Sequence, residues 1–226
     1  NISNFAYAQF ASTNGWDLRF TDSGTNNWLN YEIDTWATGA SSFAWVQVTN
    51  FASNCQIIAW WGNSGATAQQ AYTTNGATWS SNYRGVWHMD ESPTNLSWFS
   101  DSASTNPGVF NDPSGTASVT TNGPVGKGIY FSGDNDFIRV TNKANFELAA
   151  NATISFWLVK WPNADCPWVC KGDRNSEGWS VKRKWDGSSV VTWTGTDVVL
   201  DGSTRSDSAQ WASNWYHIAT TIGGGS

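Results

Sequence analysis

Charge is scarce in this chain. Only 13% of its residues are charged, and Lys+Arg 12 against Asp+Glu 18 leave a net charge of -6. A field of that sign repels phosphate backbones, which argues against nucleic acid as a partner. No apolar run approaches the ~20 residues of a membrane-crossing helix, so no direct membrane insertion is expected in this segment. Asn1 follows neither an initiating Met nor a charged-then-apolar leader, and the sequence reads as a mature protein or a fragment. With 2 His, 3 Cys and no second metal-type pair, a zinc site is not expected. The odd cysteine count leaves at least one of Cys55, Cys166 and Cys170 free or paired with another chain. On extended backbone Cys166 and Cys170 lie beyond the ~7 Å Cα limit for a disulfide, whereas a turn at Pro167 would bring them together. Lys and Glu are few while Asn, Ser, Thr and Gly fill the polar positions, a composition that fits secretion.

Apolar residues at i, i+3, i+4 and i+7 are missing over any three turns, and what is present is strand after strand. The chain is 39% hydrophobic and 15% aromatic, with 17 Trp, enough to bury a sizeable core. Strands are expected at 17–20, 31–36, 42–48, 55–61, 85–89, 128–131, 137–141, 153–161, 168–171, 178–184, 190–194 and 215–222. Turn chemistry separates them, as in Gly62-Asn63-Ser64-Gly65 and Asp186-Gly187-Ser188. The fold class is therefore all-β, two β-sandwich-like domains. The stretch between Ala66 and Arg84 carries little that fills a core, which places the domains at 1–80 and 84–226. No fixed-period repeat supports a propeller or solenoid.

Asp17-Leu18-Arg19-Phe20-Thr21-Asp22, Tyr31-Glu32-Ile33 and Ala59-Trp60-Trp61-Gly62-Asn63 resemble a bacterial domain family of unknown function that commonly precedes a laminin-G-like lectin domain. The expected continuation follows. Gly85-Val86-Trp87-His88-Met89-Asp90-Glu91 resembles the opening strand of such lectins. Phe131-Ser132-Gly133-Asp134-Asn135-Asp136-Phe137-Ile138 is similar to their Phe-Asp-Gly-x-Asp-Asp-Tyr turn, and Ala152-Thr153-Ile154-Ser155-Phe156-Trp157 to their Thr-Ile-Ser-x-Trp strand. The resemblance implies that residues 84–226 form a concanavalin A-like, laminin-G-like jelly roll. Trp215-Tyr216-His217-Ile218 looks like a central strand of that fold, which normally continues, so the jelly roll is expected to be incomplete and the chain an excerpt of a longer protein.

Catalytic constellations are thin, and no catalytic residue is assigned. Asp90 and Glu91 are adjacent and, on a strand, would point to opposite faces, so they cannot address one glycosidic bond from one side. There is no Glu-x-Asp-x-x-Glu pattern and no Gly-x-Ser-x-Gly elbow. His88 and His217 sit in strand-like apolar contexts, as satisfied core or edge histidines do. The acidic turn Asp134-Asn135-Asp136 offers oxygens of the kind calcium prefers. The resemblance implies a structural Ca2+ near such loops, with Asp134, Asp136, Asp101 and Glu91 as metal ligands.

Indole faces stack on the C–H faces of sugar rings, and by analogy with aromatic pairs each stack contributes ~0.5–1.5 kcal/mol. Trp16, Trp45, Trp87, Trp157 and Trp215 alternate with strand residues and are expected in the core. Trp98, Trp168, Trp185, Trp193 and Trp211 lie in or beside polar loops, where an indole left wet calls for a ligand or for packing under the loop. The ligand-binding candidates are Trp98, Trp168, Trp185 and Asn135, at the loop edge of the jelly roll. The expected function is a noncatalytic carbohydrate-binding or cell-surface adhesion module of a larger secreted bacterial protein. Its partner would be a polysaccharide or glycan, or another cell-surface protein. The alternatives are a structural or protein-interaction domain of an envelope complex, since relatives of the first domain are sometimes joined to TolQ/ExbB-type proton channels, and a glycoside-active enzyme.

Overall fold

A computed structural model describes residues 5–23, 27–94, 96–103, 106–120, 123–132, 135–141, 144–147, 152–159, 166–172, 178–183, 189–193, 196–199 and 215–222. The fold is all-β. The helical segments among the described residues are single 3-10 turns at Tyr7–Gln9, Ala71–Thr73 and Ala144–Phe146. The chain divides into two compact units, Asn1–Thr141 and Asn142–Ser226. The first takes in the whole segment expected as the first domain together with the opening of the second.

In the first unit the strands are β1 (Arg19–Asp22), β2 (Trp28–Leu29), β3 (Tyr31–Thr35), β4 (Phe43–Val46), β5 (Ile57–Trp60), β6 (Trp98–Phe99), β7 (Gly108–Asn111), β8 (Ser118–Thr120), β9 (Gly128–Tyr130) and β10 (Phe137–Val140). They form four small antiparallel sheets, ordered β2-β1-β5, β3-β4, β10-β7-β6 and β8-β9. One core gathers Leu18, Phe20, Leu29 and Tyr31, with Phe10, Ile33, Trp36, Val46, Ala59 and Tyr72 packed against it. Tyr31 is sealed inside and donates its hydroxyl to the Leu18 carbonyl at 2.6 Å. Burial, with the nearby Tyr72 hydroxyl, pushes that phenol up to about 12.

Asp17 ties the loops of this core together. Its carboxylate accepts backbone N–H groups from Ala11 (2.9 Å), Ser12 (3.0 Å) and Gly62 (2.8 Å). Burial alone would raise its pKa, but those donors favour the anion and hold it below the usual carboxylate value.

The second unit holds β11 (Ala152–Leu158), β12 (Cys166–Lys171), β13 (Trp179–Arg183), β14 (Ser189–Trp193), β15 (Thr196–Val199) and β16 (Tyr216–Ile222). Strands β12 to β15 run as an antiparallel meander, and β11 pairs with β16 from Ala152↔Ile222 to Leu158↔Tyr216. Alternation turns Ile154, Phe156 and Leu158 to the more buried side and Thr153, Ser155 and Trp157 outward.

Three expectations change. Residues 85–89 form no strand, and Met89 at the end of the segment takes a φ of 61°, a left-handed conformation that ends extended backbone there. Trp157 is no core residue: it faces outward, 44% exposed, against the ring of its cross-strand partner His217 at 5.0 Å. Pro167 sits inside β12 at a register shift, not at a turn. Cys166 and Cys170 are thus about 13 Å apart along extended backbone, beyond disulfide reach.

Candidate binding surface

The sheet β10-β7-β6 has two unlike faces. Cross-strand partners share a face, and residues two apart along a strand return to it. One face therefore carries Phe99, Gly108, Phe110, Ile138 and Val140. Phe99 and Phe110 are fully buried there, their rings 5.6 Å apart, with Phe131 closing on Phe110 at 5.8 Å. Gly108 is required, since a Cβ at that position would collide with the Ile138 side chain.

The other face carries Trp98, Val109 and Arg139 in one row and Asn111 and Phe137 in the next. It is open to water: Trp98 is 63% exposed and Phe137 38%. Strand spacing places the Cα atoms of Trp98 and Arg139 about 10 Å apart. The Arg139 guanidinium lies 5.0 Å from the centroid of the Phe137 ring, a cation–π contact that holds a flexible side chain against the sheet. Asn111 donates its amide to the Asn135 carbonyl at 2.8 Å, and Asn135 takes a φ of 67° at the turn leading into β10. An exposed indole, a phenyl ring with a guanidinium over it and an amide thus share one solvent-facing side of the sheet.

Of the residues singled out in the sequence, this face carries Trp98, while Asn135 sits at the turn before β10 and meets the face only through its backbone carbonyl, which accepts from Asn111. Trp98 is a strand residue of β6, not a loop residue. Trp168 belongs to the second unit, where it lies on β12 with its ring edge-on to Phe156 at 5.9 Å, packed rather than presented. Trp185 and Asp134 lie outside the described residues, as does Trp211.

The acidic candidates are mostly engaged with backbone. Asp101 accepts N–H groups of Val86 (2.8 Å), Ala103 (3.0 Å) and Asn106 (3.4 Å), tying Ala103 and Asn106 to the segment before it. Glu91 accepts the Ser100 N–H at 2.6 Å, and its other oxygen is buried without a hydrogen bond. Asp136 accepts both the N–H and the hydroxyl of Ser132 at 2.6 Å, and its Oδ1 is likewise buried and unbonded. Among the described residues, no three His, Cys, Asp or Glu side chains are gathered where one cation could be held.

A second cluster, which the sequence reading passed over, surrounds His88. Glu32 and Asp34 are two apart on β3 and share a face, and a register shift between Ile33 and Thr35 falls at Asp34. His88 sits between them, Nε2 3.4 Å from Glu32 and Nδ1 3.3 Å from Asp34. Trp45 stacks on the imidazole at 5.7 Å, and Trp79 lies 6.0 Å away. The indoles also donate to the carboxylates, Trp79 to Glu32 at 2.7 Å and Trp45 to Asp34 at 2.9 Å, while the Ser102 hydroxyl reaches Glu32 at 2.7 Å.

Burial pushes the His88 pKa down, but the adjoining Glu32 and Asp34 carboxylates, with Asp90, outweigh it and hold the value above the ordinary imidazole range. Glu32 is held below the ordinary carboxylate value, because the adjoining His88 imidazole and hydrogen bonds from Ser102 and Trp79 outweigh its burial. Asp90 is pushed up by burial and by the neighbouring Glu91 and Asp34 charges. With a His side chain 11% exposed and an Asp34 side chain 3% exposed, this is a clasp inside the first unit and not an open cleft. The signal in the sequence was the Glu-x-Asp pair at 32 and 34, but nothing local links it to His88. No family model, curated protein or solved structure matches the chain.

Proposed function

We propose that this chain is a noncatalytic carbohydrate-binding module of a larger secreted bacterial protein, acting in adhesion at the cell surface. The sequence from Gly85 onward, with its resemblance to laminin-G-like lectins, supports a jelly-roll arrangement of the later strands. The observation that carries the reading is the outward face of β6, β7 and β10, where Trp98 and Phe137 stand exposed beside Asn111 and Arg139. Exposed aromatic side chains on a rigid sheet stack on sugar rings without a large ordering cost, and the amide and guanidinium select hydroxyl or acidic substituents. Calcium enters this reading through Asp136 and Glu91, each of which keeps a buried carboxylate oxygen without a hydrogen bond.

The test is a glycan array read by tryptophan fluorescence, with the wild-type chain beside Trp98→Ala. Binding of a glycan by the wild type and its weakening in the variant are expected. A wild type that binds no glycan on a broad array would overturn the reading.

A specific observation favours a second reading, a protein-interaction domain of an envelope complex. The outer face of the β2-β1-β5 sheet presents Trp28, Ile58 and Trp60, which are 62%, 40% and 51% exposed, and β5 is an edge strand with no charge or proline to guard it. Substituting Trp28 and Trp60 together would abolish protein association under this reading and leave glycan binding intact under the first.

A further inference from the structure

The platform of β6, β7 and β10 carries a cation as well as aromatic surface. Arg139 is exposed and stands on the same face as Trp98, through Val109, which is the cross-strand partner of both. The ion pairs of the described residues are those of His88 with Glu32 and Asp34 and of Lys171 with Glu147, and Arg139 is in none of them. Its guanidinium is instead held over the Phe137 ring. In a chain of net charge -6, where only 12 residues are basic, a guanidinium fixed on an aromatic face without a carboxylate opposite is set for an anion from outside. Cation–π contact leaves the N–H donors unused, and a planar fork of donors matches a carboxylate bidentately.

Resting on the glycan reading above, we infer that the ligand is an acidic polysaccharide, one built of uronic acid units. A ring stacked on Trp98 carries its equatorial C5 carboxylate close to its own plane. A carboxylate in that plane lies over the sheet, where Arg139, in the same row as Trp98 beyond Val109, is placed to meet it. Asn111, bonded to the turn at Asn135, fixes the far side of the platform where a neighbouring hydroxyl would lie.

The experiment uses the full 226-residue chain with pectate and alginate, each beside its carboxyl-reduced counterpart, by calorimetric titration at low and high salt. The wild type is expected to bind a polyuronate at least ~10-fold more tightly than its reduced form, with the preference shrinking as salt screens it. Arg139→Gln is expected to bring the two affinities together while its melting temperature stays that of the wild type. Arg139→Lys, which keeps the charge and loses the fork, is expected to fall between and stands in if the glutamine variant does not fold. Equal affinity for native and reduced polymers, each sensitive to Trp98→Ala, would overturn the acidic ligand and leave the glycan reading standing. Binding of neither polymer, with neutral glycans bound through Trp98, would do the same. Binding of no glycan of either kind would remove both readings.

Discussion

Replacing His88 by Gln removes the cation from between Glu32 and Asp34 while keeping a polar side chain of similar reach. At an effective dielectric of ~20, each charge contact at 3.4 and 3.3 Å corresponds to ~5 kcal/mol of gross attraction, most of it offset by the desolvation of burying these groups. Removing one partner leaves the other charges uncompensated, and with the His88 side chain nine-tenths out of water the expected loss is about 3 kcal/mol, the lower end of the range for buried pairs. That corresponds to a fall of ~6–12 °C in the melting temperature of a unit of this size.

The pH dependence separates charge from packing. His88 has its folded pKa raised, so its stabilisation is fully present below the unfolded value near 6.5 and is lost as pH rises through the folded value. Glu32 has its folded pKa lowered, so its contribution is present above the unfolded value near 4.5 and is lost as pH falls through the folded one. Asp90, raised, acts in the opposite sense to Glu32: its ionisation costs stability as pH rises from the unfolded value near 3.8. The basic limb therefore reports on His88. Urea unfolding at about pH 5.5 and about pH 9 should show a wild-type advantage over His88→Gln that narrows sharply at the higher pH. An equal deficit at both values would refute the charge argument and assign the loss to packing against Trp45 and Trp79.

Further outcomes follow from the same geometry. Asp17→Ala strands the N–H groups of Ala11, Ser12 and Gly62 and should cost about 3 kcal/mol in urea unfolding, far more than an ordinary loop substitution. Trp157→Ala should cost less than ~1.5 kcal/mol, because the indole is 44% exposed, whereas Phe110→Ala, which empties a fully buried site, should cost ~3–5 kcal/mol by the same assay. If the turn at Asp136 binds calcium, the cation at a hundred times its dissociation constant should stabilise the unit holding that turn by ~2.7 kcal/mol in a thermal melt, and a chelator should reverse the shift. An unchanged melt removes calcium from the proposal.

Strands rich in β-branched and aromatic residues were legible in the sequence, β10 and β11 among them, and β13, where Trp179-Ser180-Val181-Lys182 alternates apolar and polar. β2 and β6 were missed at two residues each, too short for any pattern to emerge. β7 hid behind Gly108 and the adjacent apolar pair Val109-Phe110, although it runs into the turn Asp112-Pro113-Ser114-Gly115. The segment 85–89 looked like a strand by composition, and the positive φ of Met89 is invisible to composition. Trp98 could be read as a presented indole from its polar surroundings. Arg139 and Phe137 could not, since only the register of β6, β7 and β10 puts them on its face. The His88 clasp was hidden for the same reason: its carboxylates come from β3 and reach the imidazole only through tertiary packing.

The central claim is that the open face of the β10-β7-β6 sheet binds sugar, and the most direct measurement is the affinity of Trp98→Ala for the tightest-bound glycan, set beside Trp60→Ala on the other sheet. One lost stack of ~0.5–1.5 kcal/mol predicts a ~2- to 12-fold weakening for Trp98→Ala, no change for Trp60→Ala, and wild-type melting temperatures for Trp98→Ala. Unaltered affinity in Trp98→Ala, or a loss confined to Trp60→Ala, would contradict the claim.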